Sequence, residues 1–173
     1  QGDAVGLTTF GERIEEHLPA RNRPGHLRRL MTELEKTPAF RGTSLQGPLQ
    51  QLSEMLRRRG MVVLVSDLLA PVEHLEKQLG YLATSGHEVA LFHVMDRAEI
   101  DFTFTEAAQF HDAETGNHLF IDPAVARASY LEKLNAHLQS IRRMCEKHGV
   151  EYRFTPTDQP LDGVLLEWLS GRR

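Results

Sequence analysis

The sequence predicts an α/β fold: a doubly wound, mostly parallel sheet with helices on both faces. Three observations lead there. Met61-Val62-Val63-Leu64-Val65 and Val89-Ala90-Leu91-Phe92-His93-Val94 are near-continuous apolar runs, the pattern of strands buried on both sides. Around them lie segments with apolar residues at i, i+3, i+4 and i+7, the stripe of a helix resting on a core. The two patterns alternate, and alternating strands and helices build βαβ units with a parallel sheet.

Taken in order, Ala4 to Phe10 reads as a strand, and Gly11 turns the chain. Ile14 to Leu18 returns as a hairpin partner that Pro19 ends, because proline has no N–H for a ladder. A helix is expected from Pro24 to Lys36, with Leu27, Leu30, Met31 and Leu34 on its core face. Thr37 to Thr43 is a loop. A second helix reaches Arg59, carries Leu45, Leu49, Leu52 and Leu56 on one face, and stops at Gly60. Arg57, Arg58 and Arg59 then fall in its last turn, where cations complement the helix dipole. After the strand at Met61, a helix from Pro71 to Thr84 buries Val72, Leu75, Leu79 and Leu82, and Gly86 closes it. Asp96, Glu99 and Asp101, beyond the next strand, read as a solvated loop.

An extra hairpin is expected near residues 108–121, where two short runs flank Glu114-Thr115-Gly116-Asn117. Asp122 and Pro123 then supply an N-cap and a first helical residue for a long helix. Its apolar face holds Leu131, Leu134, Leu138, Ile141 and Cys145, and Gly149 terminates it. Val150 to Phe154 is the last strand, and Leu161, Val164, Leu165 and Trp168 mark a final helix.

A chain of 173 residues fits one domain and can bury a core without staples. A net charge of −4 argues against nucleic acid, whose binders carry a basic face. The lone Cys145 excludes an internal disulfide, fits a reducing compartment and, on an apolar helix face, is expected to be buried and inert. The run Met61 to Val65 is too short to cross a bilayer, and no signal-peptide pattern opens the chain, so a cytoplasmic location is expected. Gln1-Gly2-Asp3 leads directly into a strand with no initiator Met, which suggests a boundary within a longer parent.

Ligands of such sheets bind beyond the carboxyl ends of the strands. Two strands end in acids, Val65-Ser66-Asp67 and Val94-Met95-Asp96. Asp67 follows the most apolar strand and is expected at the top of the sheet centre, with Pro71 too far along for Asp67 to cap the next helix. Gly42-Thr43-Ser44-Leu45 is a second candidate, although Thr43 with Gln46 also fits a capping box and Ser44 a simple cap. Hydroxyls and a carboxylate are hard oxygen ligands and suit Mg²⁺. No Gly-x-Gly-x-x-Gly, Walker A loop or Gly-x-Ser-x-Gly elbow occurs, and the nine histidines, His93, His111 and His118 included, have no zinc spacing.

Gly2-Asp3-Ala4-Val5-Gly6-Leu7, Gly42-Thr43-Ser44-Leu45 and Val62-Val63-Leu64-Val65-Ser66-Asp67 follow the order of a von Willebrand factor A domain. The chain more specifically resembles the bacterial family named domain of unknown function fifty-eight. Gly86-His87-Glu88-Val89, Phe110-His111-Asp112 with Glu114-Thr115-Gly116, and Thr157 through Pro160-Leu161-Asp162 extend the resemblance nearly end to end. The resemblance implies a metal-ion-dependent adhesion site for Mg²⁺ or Mn²⁺, in which Thr43 and Asp67 match the threonine and the aspartate. The Asp-x-Ser-x-Ser loop of the family has no counterpart here, and Leu68 replaces the glycine that often follows the aspartate. The resemblance places that loop, the first central strand and its helix before Gln1, so that residues 1–173 form a single, N-terminally incomplete domain.

The resemblance further implies a non-enzymatic adaptor or co-chaperone that works with a MoxR-type AAA+ ATPase on client proteins. An ion left one ligand short accepts a carboxylate from a partner, which makes it a recognition point. Two other readings stand beside it: a metal-dependent hydrolase or phosphotransferase using Asp67 with a histidine base, and a metal-free structural interaction domain. A missing central strand also predicts unpaired edges, resolved by direct closure or by a homodimer.

Overall fold

The structure, a computed structural model, describes residues 2–36, 44–111 and 118–171. It comprises two compact units, one from the described residues of 2–57 with His111, the other from those of 58–110 and 118–171.

In the first unit, β1 (Val5–Phe10) pairs antiparallel with β2 (Ile14–Arg21). The strand continues past Pro19, where the sequence suggested a stop. A register irregularity between Val5 and Leu7 accompanies this, and proline is tolerated on an edge or beside a bulge. Gly6 sits at that irregularity, where a Cβ would lie 2.8 Å from both Leu18 O and Ala20 N. Helix α1 (His26–Leu34) buries His26 and Leu30, and His26 Nε2 bonds the Val5 carbonyl at 2.8 Å. Leu27, Met31 and Leu34 are exposed, contrary to the expected stripe. The His26 contact turns one ridge of the helix to β1 and leaves the rest of the stripe outward. Helix α2 (Gln46–Met55) starts after Leu45 with no side-chain cap and buries Leu49. It ends before the arginines, because Leu56 is already extended. Arg57–Arg59 therefore follow the helix instead of occupying its last turn. The second unit begins at Arg58.

That unit runs β3 (Met61–Ser66), α3 (Val72–Thr84), β4 (Glu88–Met95), α4 (Arg97–Asp101), β5 (Ala108–His111), β6 (His118–Ile121), α5 (Pro123–His148), β7 (Glu151–Pro156) and α6 (Leu161–Ser170). The strands β3-β4-β7 form a parallel sheet, and β5-β6 a separate hairpin. Ser66, His93 and Phe154 stand in one row across the sheet. Side chains alternate along β4. Ala90 and Phe92 pack on Trp168 of α6, the Phe92 and Trp168 rings edge to face at 5.2 Å. Met95 packs with Leu134 and Leu138 of α5 on the opposite face. Helices thus lie on both faces, as expected.

Helix α5 has the expected frame. Asp122 Oδ1 accepts from Ala124 N at 2.9 Å, Pro123 opens the first turn, and Gly149 closes the helix at φ 65°. Cys145 is fully buried, and burial pushes its thiol up to about 12, so it is a packing residue. In α6 only Trp168 is buried; Leu161 and Leu165 face outward, unlike the predicted face. The segment after β4 is not a loop. Asp96 caps α4 through Ala98 N at 2.8 Å, and Arg97 pairs with Asp101 at 2.8 Å, so a short helix absorbs the acids. The turn expected at 114–117 lies outside the described residues.

At β3 two expectations pull apart, burial on both faces from its apolar run and an unpaired edge from the missing central strand, and the described residues have the second. The one ladder partner of β3 among them is β4. Only Leu64 is buried; Met61, Val63 and Val65 remain 47, 45 and 62% exposed. By register Val63 and Val65 stand beside Ala90 and Phe92, on the face that α6 covers over β4. No helix among the described residues is long and apolar enough to cross a membrane.

Candidate functional site

Asp67 follows the last residue of β3 and is exposed. It stands at the carboxyl end of the sheet as expected, but among the described residues at an edge strand and not at the centre. Thr43, the other expected ligand, lies outside the described residues. Ser44, its neighbour, donates its backbone N–H to the Gly11 carbonyl at 3.0 Å and does not cap α2.

The Asp67 loop is built from local bonds. Ser66 Oγ accepts from Leu68 N at 3.1 Å, and Asp67 Oδ1 accepts from Leu69 N at 3.3 Å. Leu68 has φ 56°, the left-handed region that side-chain-bearing residues seldom adopt. Its side chain is 1% exposed, so burial of the leucine offsets the strained backbone. His137 of α5 donates from Nε2 to the Leu68 carbonyl at 2.9 Å.

Beneath the loop lies His93, fully buried, with Nδ1 2.9 Å from Tyr152 Oη and its ring edge-on to Phe154. Burial holds the imidazole down at about 4, against a smaller upward pull from the Asp67 backbone. His137, Asp67 and Arg142 act on it at longer range. Burial also pushes the Tyr152 phenol up to about 12, so the phenol keeps its proton near neutral pH. With the phenol as donor, the neutral ring accepts at Nδ1 and carries its proton on Nε2. That Nε2 is buried and closes no well-formed hydrogen bond.

The strand-end acids behave differently from one another. Asp96 is committed: Oδ1 caps α4, and Oδ2 accepts from Thr157 Oγ1 at 3.1 Å, tying the end of β4 to the turn after β7. Glu99, read from sequence as solvated, has its carboxyl raised above the ordinary range by burial, then by Asp96 and Asp67. The adjacency of two strand-end acids was the sequence signal for this acidic corner; that α4 folds Glu99 into it was not readable. Glu99 in turn raises Tyr130, after burial. His118 is exposed on the hairpin while His93 is sealed under the Asp67 loop, and the His111 side chain lies outside the described residues.

These features define a parallel α/β protein with an accessible acid, Asp67, presented on a braced loop at the carboxyl end of β3, an edge strand among the described residues. A family model described as "Protein of unknown function DUF58" matches residues 1–140, and the chain belongs to that family. An uncharacterized protein of Mycobacterium tuberculosis is 25% identical over 177 residues, covering 99% of this chain and 55% of its own length. An uncharacterized protein of Mycobacterium avium is 27% identical over 161 residues, covering 90% of this chain and 94% of itself. The chain thus spans about half the length of the M. tuberculosis relative. The crystal structure of the conserved hypothetical protein BatB from Bacteroides thetaiotaomicron aligns over 99% of this chain and 80% of that one, at TM-score 0.55 and 11% identity, a likeness of fold.

Proposed function

We propose that this chain is a protein-interaction module of the von Willebrand factor A type. In this reading Asp67 helps to hold a divalent cation, Mg²⁺ or Mn²⁺, that receives a carboxylate from a partner. The observation that carries it is the exposed Asp67 on a braced loop at the carboxyl end of a parallel strand, where ligands of α/β sheets bind. The chemistry of the donor fits: a carboxylate is the hard oxygen that such ions take. Among the described residues no three His, Cys, Asp or Glu side chains gather as a metal set, so the ion would need further donors. Thr43 is the proposed second one. The bound ion would supply charge for recognition. The proposed partners are a MoxR-type AAA+ ATPase and its client proteins, on the strength of the family resemblance, and the proposed setting is the cytoplasm.

A second reading, a metal-free interaction domain, is favoured by β3 itself, whose outer edge has no ladder partner among the described residues and whose Met61, Val63 and Val65 are exposed, an arrangement suited to strand pairing. That edge is also the proposed route to a homodimer. The hydrolase or phosphotransferase reading draws less support. His93 is buried and neutral, and His137 spends Nε2 on the Leu68 carbonyl, so these two histidines at the Asp67 loop are poorly placed as bases.

Calorimetric titration with Mg²⁺ and Mn²⁺, on this chain and on a longer natural version, tests the first reading. Binding by the longer protein that Asp67→Ala abolishes upholds it. Absence of binding in both overturns it and leaves the edge-pairing reading.

A further inference from the structure

We infer that His137 is a positioning residue: from α5 it latches the Leu68 peptide and so fixes where Asp67 stands. The inference rests on the reading that Asp67 is the group that meets the ligand.

A non-glycine residue at φ 56° is held in a sparsely populated conformation that survives only where its surroundings over-determine it. Three contacts do so at Leu68. Its side chain is 1% exposed, its N–H is taken by Ser66 Oγ at 3.1 Å, and its carbonyl is taken by His137 Nε2 at 2.9 Å. Of the two hydrogen bonds, the one from Ser66 is local to the loop. The one from His137 comes from a distant element, 69 residues along the chain, and so references the loop to α5. That helix is itself anchored: Leu134, Leu138 and Ile141, within four residues of His137, are buried. Asp67 is the residue immediately before the latched peptide, and its Oδ1 is in turn held by Leu69 N at 3.3 Å, immediately after it. A change at Leu68 therefore moves both the backbone and the carboxylate of Asp67.

The latch also explains how leucine is tolerated here. Glycine adopts this conformation at no steric cost and would need no external brace. Leucine needs one, and His137 with the buried side chain provides it.

The test is metal-free NMR on the whole chain. The Leu68 Cα and Cβ chemical shifts report its backbone conformation, and amide exchange at Leu69 reports loop closure. His137→Leu is expected to move the Leu68 shifts out of the left-handed range and to speed Leu69 exchange about tenfold, the loss of one hydrogen bond to a buried carbonyl. His137→Gln, whose side-chain N–H can reach the same carbonyl, is expected to restore both. In a Leu68→Gly background, His137→Leu is expected to leave Leu69 exchange unchanged within about twofold, since glycine needs no latch. The inference is overturned if His137→Leu leaves the Leu68 shifts in place, whether or not the urea midpoint falls; a fall alone means a packing role. It is also overturned if the Leu68→Gly background is as sensitive to His137→Leu as the native chain. None of these readouts involves a metal or a partner, so a failure of cation binding at Asp67 leaves the latch standing, and a failure of the latch leaves the cation question open.

Discussion

Acidification should destabilise this protein through His93 by an amount that can be worked out. An exposed histidine titrates near 6.5, and burial holds His93 at about 4 in the folded state. The folded pKa is depressed, so between those values the unfolded chain binds a proton that the folded chain refuses. Stability from the neutral ring is therefore complete above about pH 6.5, declines as the pH falls, and is fully lost below about pH 4. At 1.36 kcal/mol per pH unit the loss is about 3 kcal/mol, a large share of the ~5–15 kcal/mol that a domain typically has. The ring is fully buried, so solvent screening removes little of that figure. The assay is urea unfolding of the native chain and of His93→Asn at pH 7.5, 6.5, 5.5 and 4.5. The asparagine amide can replace Nδ1 beside Tyr152 Oη but takes up no proton. The variant should be the less stable at pH 7.5, because the smaller side chain leaves a gap. Its stability should then fall less steeply with acid, closing the difference by about 2–3 kcal/mol at pH 4.5. Parallel curves for the two proteins would mean that His93 does not drive the acid loss, since carboxylates elsewhere titrate alike in both.

Three further outcomes follow from packing and edges. Gly80→Ala places a Cβ 2.9 Å from the His148 ring, which also pairs with Glu76 at 3.1 Å, so it should destabilise by about 1–2 kcal/mol in urea, with His148→Ala restoring most of the loss. Trp168→Ala removes the ring that covers Phe92 and Ala90 and should cost about 3–5 kcal/mol, read from urea unfolding by circular dichroism; a loss under about 1 kcal/mol would mean that α6 is not held by this contact. Val65→Lys, on the exposed edge of β3, should change stability by less than about 0.5 kcal/mol while lowering any concentration-dependent association seen in sedimentation; unchanged association would remove the edge as a pairing surface.

Much of the fold was legible because its signals are local. Asp122-Pro123 at the start and Gly149 at the end of α5 are capping chemistry written in adjacent residues, and the structure has both. The parallel sheet was legible from the apolar runs of β3 and β4. What the sequence hid was decided by tertiary partners. The stripe Leu27, Leu30, Met31 and Leu34 is a good helical face, but which ridge is buried depends on His26 reaching the Val5 carbonyl, a bond between residues 21 apart. The MVVLVS run of β3 looks like a central strand in composition; its unpaired edge among the described residues was expected only from the missing-strand resemblance, because composition does not encode pairing. At the candidate site Asp67 was readable as a strand-end acid. The commitment of Asp96 to α4 and Thr157 was not, nor was the brace from His137. The bonds from Thr157 and His137 join residues 61 and 69 apart in sequence.

The site's arrangement bears on binding versus catalysis. A general base must hold a pKa near the working pH and reach the substrate. His93 sits at about 4 behind the Asp67 backbone, neutral through the physiological range and out of reach of solvent. A recognition site has the opposite needs: an accessible charged group whose position is fixed before the partner arrives, so that little ordering entropy is lost on binding. Asp67 is exposed, and the residue that follows it is fixed at both its N–H and its carbonyl. It is also two residues from Val65 on a strand edge with no partner among the described residues. In the proposed reading a partner that reaches Asp67 also meets that edge, so charge recognition and strand pairing would address the same surface. In the proposed reading Asp67→Ala and Val65→Lys weaken one and the same complex, and a double variant loses less than the two single losses added, because neighbouring contacts to one partner are coupled.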